Sequence, residues 1–337
     1  MKPVRIAIVR LTSLGDVVHT LPVASAIRRH SPTSYIVWIV EEREQTLLRN
    51  NAVVDEVVVA PTRRWRHEFL RPRGAVRVLA EWRGLRERLR GLRLDVALDV
   101  QGLLKSTLFS VLTRAPMRIG FAWPHAREPL SSLFTTCWVT PPPGAVHMVE
   151  KNLSLLGPLG IPVEEIAFPI PDVPEAEARA GTFLRGHAIT PQDRVVALIP
   201  ATRRPRKQWP PAYYQRLAER LASRSGVRVL ALAAPGEDGA LRLVAGGLDG
   251  ESILPYTGFT PDFVALLRRA RLAIGNDTGP LHLAAALGVP TIGLYGPTRP
   301  EVNGPYGPRV RALRSPTGRM EDISVDTVFE VAMEWLA

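Results

Sequence analysis

Between residues 272 and 297 the chain reads as strand, tight turn, short helix and second strand, an order that fits a parallel βα unit. The apolar run 272–275 leads into Asn276-Asp277-Thr278-Gly279, which is turn chemistry. Pro280 suits the first helical turn, Gly288 ends the helix after Leu287, and 291–295 is extended again. Such a turn leaves the amides of Thr278 and Gly279 unpaired at the positive end of a helix, where an α/β sheet binds phosphate. Asp277 is itself an anion, so it suits sugar hydroxyls better than phosphate. On spacing alone the alternative stays open that Asp277 only caps the helix and His282 only packs.

The same alternation runs through the whole chain. Strands are expected at 4–9, 35–40, 53–59, 95–100 and 118–121, with helices at 17–29, 75–92, 103–112 and 145–156. Pro22 is expected to delay the regular part of the first helix. Pro162, Pro169, Pro171 and Pro174 then crowd a short span, after which strands are expected at 194–199 and 227–233 and helices at 212–223, 260–270 and 325–336. The predicted organisation is a doubly wound domain over 1–162, a Pro-rich connection over 163–190 and a second doubly wound domain over 191–320. A closing helix over 321–337 can fold back on the first domain. Two such domains are expected to face each other across a cleft.

Length and composition set the limits. With 337 residues, 46% of them hydrophobic, the chain can fill two domain cores. The single cysteine, Cys137, excludes an internal disulfide and a cysteine-cluster metal site. No apolar stretch is long enough to span a bilayer, and the run 6–9 is too short for a signal-peptide core, so a cytoplasmic protein is expected. The formal net charge of +11 is unevenly spread. Residues 61–93 hold eleven arginines against Glu68, Glu81 and Glu87, which suggests an anionic partner: a phosphorylated substrate, a membrane surface or nucleic acid. Arg63, Arg64 and Arg66 are expected in a loop after a strand, where ligand contact is plausible.

There is no P-loop, no GxGxxG, no HExxH and no Asp-x-Asp pair to hold a metal under a diphosphate. A departing nucleotide would then be stabilised by cations and helix ends. The loop 201–210 carries Arg203, Arg204, Arg206 and Lys207 between stiffening prolines at the end of a strand. Asp16 follows the first strand, where it reads equally as a helix cap or as a general base. Asp99 looks structural, and His147 with Glu150 makes no metal site.

Several short motifs fall in a specific order: Thr12-Ser13-Leu14-Gly15-Asp16, Val40-Glu41-Glu42, Arg63-Arg64-Trp65-Arg66, Asp99-Val100-Gln101-Gly102, Lys207-Gln208-Trp209-Pro210 and Asp277-Thr278-Gly279-Pro280-Leu281-His282. Over nearly the whole chain the sequence resembles the lipopolysaccharide heptosyltransferases of glycosyltransferase family 9, and in particular the member that adds the first heptose to Kdo-lipid A. The resemblance implies a GT-B fold, an ADP-heptose donor, inversion at the anomeric carbon, and no cofactor or metal. It implies Asp16 as the catalytic base and Thr202, Lys207, Thr278 and Gly279 as donor-phosphate contacts. Asp277 and His282 become donor-side residues, and Glu237 a ribose contact. Arg203 stands on the donor side where the family more often has a second threonine. Arg63, Arg64, Arg66, Lys105 and Arg127 become contacts to the anionic acceptor at the cytoplasmic face of the inner membrane, with no nucleic acid involved. The alternatives are a heptosyltransferase of a later core step (II or III), another nucleotide-sugar enzyme such as an epimerase, and a non-enzymatic anion binder.

Overall fold

A computed structural model describes residues 3–245 and 253–336, which divide into two compact units at Pro171 and Asp172, inside the proline-rich connection. The first unit runs β1 (Arg5–Val9), α1 (Leu14–Val18), α2 (Leu21–His30), β2 (Tyr35–Val40), β3 (Glu56–Val59), α3 (Thr62–Glu68) and α4 (Gly74–Gly91). It continues through β4 (Val96–Asp99), α5 (Leu104–Leu112), β5 (Met117–Phe121), β6 (Cys137–Val139) and α6 (Met148–Ser154). Its six strands are all parallel in the order β3-β2-β1-β4-β5-β6.

The second unit runs α7 (Pro174–Gly186), β7 (Arg194–Ile199), α8 (Pro211–Ala222), β8 (Val227–Ala233), α9 (Asp238–Ala245), β9 (Ile253–Thr257) and α10 (Thr260–Leu267). It closes with β10 (Leu272–Asn276), α11 (Gly279–Ala286), β11 (Thr291–Tyr295), α12 (Pro300–Asn303), β12 (Val310–Arg314) and α13 (Val325–Leu336). Its parallel order β12-β11-β10-β7-β8-β9 repeats that of the first unit. In each unit the order reverses beside the first strand, between β1 and β4 and between β7 and β10. A doubly wound sheet opens its ligand crevice at that switch point.

The central strands are short runs rich in β-branched residues with helices on both faces, so nearly every position is buried: Ile6–Val9 in β1, and all of β2 after Tyr35. Pro22 sits in the first turn of α2, and the chain breaks there into two helices, α1 and α2. In α4 only Leu85 and Leu89 are buried, so most of its arginines lie on a solvated face.

Three placements differ from the sequence reading. The arginine cluster 63–66 lies on a helix, α3, and not in a loop. Helix α7, read as part of the connection, belongs to the second unit, where Arg179 Nε donates to Asp262 Oδ1 at 2.8 Å. The closing helix α13 buries Val328, Phe329, Val331, Ala332 and Leu336 in the second unit's own core with Trp209 and Tyr214, where the sequence reading let it fold back on the first domain.

Candidate active site

At the first switch point the chain leaves β1 through Arg10 and enters α1 at Ser13. Ser13 is the residue before the helix, and its amide and hydroxyl each donate to Asp16 Oδ2 at 3.0 Å. Asp16 therefore does cap α1. The cap leaves Oδ1 free for Arg10, whose Nη2 lies 2.5 Å away. The Arg10 side chain is wholly buried, and its Nη1 donates to the carbonyl of Val100 at 2.9 Å. Arg127 approaches Oδ2 at 4.0 Å from a more open position, its side chain 55% exposed.

Burial alone would push the Asp16 carboxyl up. Arg10, the Ser13 amide and Arg127 outweigh it and bring the group down to about 2. Asp16 is thus ionised throughout the neutral range, with 13% of its side chain open to solvent.

The loop carrying Arg127 is placed by local chemistry. Gly102 has φ +65°, and a side chain there would press on the Arg127 amide, so glycine suits both the turn and the close approach. Glu128 N donates to Gly102 O at 2.9 Å, and the Glu128 carboxylate accepts from Leu104 N at 2.7 Å, at the positive end of α5. Beneath the turn, buried Asp99 accepts from the amides of Gln101 and Gly102 at 3.1 Å each and from Thr107, which makes it structural as expected.

The remaining cations expected at an acceptor separate into two groups. Arg64 is committed to three carboxylates, with Nε at 3.1 Å from Glu42, Nη2 at 2.8 Å from Glu81 and Nη1 at 3.4 Å from Glu68. Trp65 is buried beside it and donates to Glu81 at 2.8 Å. Together they tie α3 to α4.

Arg63 and Lys105 face another way, over two buried carboxylates, Glu41 and Glu44. Lys105 Nζ donates to Thr62 Oγ1 at 2.9 Å, Thr62 donates to Glu41, and Arg63 Nη2 lies 3.5 Å from Glu44. Burial and the neighbouring Glu41 push the Glu44 carboxyl up to about 7, against the opposing pull of Arg63 and Lys105. Burial also lowers Lys105. Arg66 is exposed and makes no ion pair among the described residues.

At the second switch point buried Asn276, the last residue of β10, joins the two strand ends. Its Nδ2 donates to Pro200 O at 2.8 Å and its Oδ1 accepts from Trp209 N at 3.0 Å. Trp209 is itself buried and donates to Ile323 O at 2.9 Å. These bonds fix the loop after β7, and Lys207 then reaches Asp277 in a direct ion pair. His282 Nε2 lies 3.5 Å from the other oxygen of Asp277. Burial opposes the charge, yet His282 and Lys207 hold the Asp277 carboxyl well below the ordinary range.

Thr278 precedes α11, with Gly279 opening the helix and Pro280 in its first turn, so the first amides of α11 point out of the sheet edge. Thr202 Oγ1 accepts from Arg204 N at 3.3 Å on the facing loop. Arg203 Nε lies 3.7 Å from Glu237, whose other oxygen accepts from Ala234 N at 3.3 Å just before α9. Hence Thr202, Arg203, Lys207, Glu237, Asp277, Thr278, Gly279 and His282 all gather on the loops and helix starts beyond β7, β8 and β10. Asp16 and Arg127 meet at the corresponding edge of the first sheet.

The sequence assigns no role to Arg10 or Glu44, places Glu41 only within a motif, and reads Asn276 only as a turn residue. The signal for Arg10 was a charge directly following an uninterrupted apolar strand.

Comparisons with known proteins identify the family and the fold. The family model for glycosyltransferase family 9 (heptosyltransferase) matches residues 82–332. Lipopolysaccharide heptosyltransferase 1 of Pseudomonas aeruginosa is 33% identical over 305 residues, covering 90% of this chain and 81% of that protein. The structure of E. coli heptosyltransferase WaaC with ADP superposes with a TM-score of 0.82 at 29% identity, covering 98% of this chain and 99% of that one. The same enzyme with ADP-2-deoxy-2-fluoro heptose gives 0.80 over the same shares, also at 29% identity. The two parallel-sheet α/β units are those of a GT-B glycosyltransferase. The chain belongs to glycosyltransferase family 9, the heptosyltransferases, and is an enzyme that transfers heptose.

Proposed function

We propose that this enzyme is a heptosyltransferase I. In this reading it moves L-glycero-D-manno-heptose from its ADP ester to a Kdo hydroxyl of Kdo-lipid A, with inversion at the anomeric carbon. The observation that carries the reading is the contrast between the two switch points. One presents an ionised carboxylate, Asp16, beside an open arginine; the other presents a lysine and a helix N-terminus, Lys207 and α11. The first suits a proton acceptor beside an anionic acceptor substrate, the second a departing diphosphate.

In the reaction the acceptor O–H bond breaks and its proton passes to Asp16. The freed oxygen pair forms the bond to the heptose anomeric carbon. The bond from that carbon to the β-phosphate oxygen breaks, and its electron pair leaves on ADP. Lys207 and the Thr278 and Gly279 amides offset the charge that grows on the leaving phosphate. Lys207 would exchange Asp277 for phosphate on donor binding, which leaves Asp277 and His282 to the sugar hydroxyls. Glu237 would take the ribose, with Arg203 beside it.

On the acceptor side we assign Arg63, Arg66, Lys105 and Arg127 to the carboxylates and phosphates of Kdo-lipid A, and Arg64 to holding α3 on α4. Such an acceptor places the work at the cytoplasmic face of the inner membrane, as a peripheral protein. Among the described residues no helix is long and apolar enough to cross a membrane.

The test is to supply the purified chain with ADP-heptose and Kdo-lipid A and follow ADP release with the mass of the lipid. One added heptosyl unit, absent when the acceptor lacks Kdo, is expected. Transfer only to an acceptor that already bears heptose would make the enzyme a heptosyltransferase of a later step.

A further inference from the structure

We propose that Arg10 is the positioning residue for the Asp16 carboxylate, a buried guanidinium that locks Oδ1 in place and leaves Oδ2 to receive the acceptor's proton. The proposal rests on the reading of Asp16 as the base, and it adds which residue aims that base and which of its oxygens works.

A fully buried charge is rare in a folded protein unless it is paired, because the lost hydration must be replaced. Arg10 is 0% exposed. Its backbone is pinned on the β2 side: its amide donates to Ile39 O at 3.2 Å, and its carbonyl accepts from the buried Trp38 Nε1 at 3.2 Å. The guanidinium spans the switch point in the other direction. One nitrogen bonds the Val100 carbonyl beyond β4, and the other faces Asp16 Oδ1. A planar fork can serve two acceptors at fixed angles, which the single ammonium of lysine cannot do in the same way.

The charged groups around this pair are few. Asp16 and Asp99 favour the Arg10 charge, and Arg127 opposes it. Arg127 is the exposed member on the Oδ2 side and can turn toward an incoming anion, whereas Arg10 has no such freedom. Oδ2 takes two hydrogen bonds from Ser13; the amide sets its direction, and the hydroxyl can rotate away to make room for the acceptor's O–H. The arrangement costs base strength, since a carboxylate beside a buried cation is a weaker base. What it supplies is a carboxylate that is always ionised and always aimed.

The experiment compares pH–rate profiles of the full-length wild type, Arg10→Met and Arg10→Lys with ADP-heptose and Kdo-lipid A between pH 4 and 9, checking folding by circular dichroism at each pH. The wild type is expected to show no acidic limb from Asp16 in this range. For Arg10→Met, kcat should fall roughly tenfold or more, with both KM values within about twofold. An acidic limb should also appear near the ordinary carboxylate range, at about pH 4–5. Arg10→Lys should keep the limb away and recover part of kcat, because it restores the charge but not the fork; this variant carries the test if the methionine protein does not fold. A folded Arg10→Met with wild-type kcat and an unchanged profile would overturn the proposal, as would equal losses in both variants with no change in profile. Asp16→Asn separates the two claims. If it retains turnover, the base reading itself fails. If it is inactive while Arg10→Met is normal, only the role of Arg10 fails.

Discussion

Asp16 both caps a helix and carries the candidate chemistry, and its surroundings explain how one carboxylate serves both. Ser13 and Arg10 take its two oxygens from opposite sides, so the capping geometry is also an aimed geometry. Asp16→Asn keeps the hydrogen-bonding shape and removes the base. Turnover is expected to drop roughly 100-fold or more while ADP-heptose binding persists, as read by single-turnover kinetics and calorimetry. Near-normal turnover would reduce Asp16 to a cap.

Glu44 makes a second claim at the residue scale. Its carboxyl is raised to about 7 in the folded protein, above its unfolded value. Between those two values the folded chain holds the proton that the unfolded chain has lost, so this group's contribution to stability falls as pH rises through the window. Glu44→Gln should therefore raise the melting temperature at pH 8 and change it far less at pH 4.5. An equal effect at both pH values would show that folding does not raise the Glu44 carboxyl.

Among elements, legibility followed the central strands. β2, β7 and β8 are nearly continuous apolar runs, broken only by Arg194 at the start of β7 and Arg228 in β8, and their bounds follow from the sequence residue for residue, because burial on both faces demands that pattern. The unread strands β6, β9 and β12 all lie at sheet edges. β6 has only three residues, β9 contains Pro255, and β12 leaves most of its residues partly or fully exposed. Each lacks the signal because an edge neither needs nor tolerates a continuous apolar face.

Helix α3 was hidden for a related reason. Only Trp65 is buried on it, and what holds it is the pairing of Arg64 with Glu42, Glu68 and Glu81 rather than an apolar stripe. No periodicity in the sequence announces a carboxylate 17 residues further on, on α4. Arg64→Ala is accordingly expected to cost about 1 kcal/mol, a fall in melting temperature of roughly 2–4 °C, with little change in the acceptor KM. A raised acceptor KM with unchanged stability would return Arg64 to the substrate.

For the whole molecule, the repeated strand order puts a switch point in each unit, and the motifs legible in the sequence sit at those two places. The sequence could name Asp16, Lys207 and Asp277 because each follows an apolar strand in turn chemistry. It could not supply the buried partners Arg10 and Asn276, which join strand ends far apart in the chain. Since Lys207 and the α11 terminus are proposed to carry the leaving-group charge, turnover should survive excess EDTA. Complete loss restored by magnesium would show that a metal shares that task.

The most direct test of the account is a steady-state titration of each substrate with Lys207→Ala and Arg63→Ala, at low and high ionic strength. Lys207→Ala should raise the KM for ADP-heptose and leave that for Kdo-lipid A nearly unchanged. Arg63→Ala should raise the KM for Kdo-lipid A, more at low salt because exposed charges are screened. If Arg63→Ala weakened ADP-heptose binding and spared the acceptor, the assignment of the first unit to the acceptor would be contradicted.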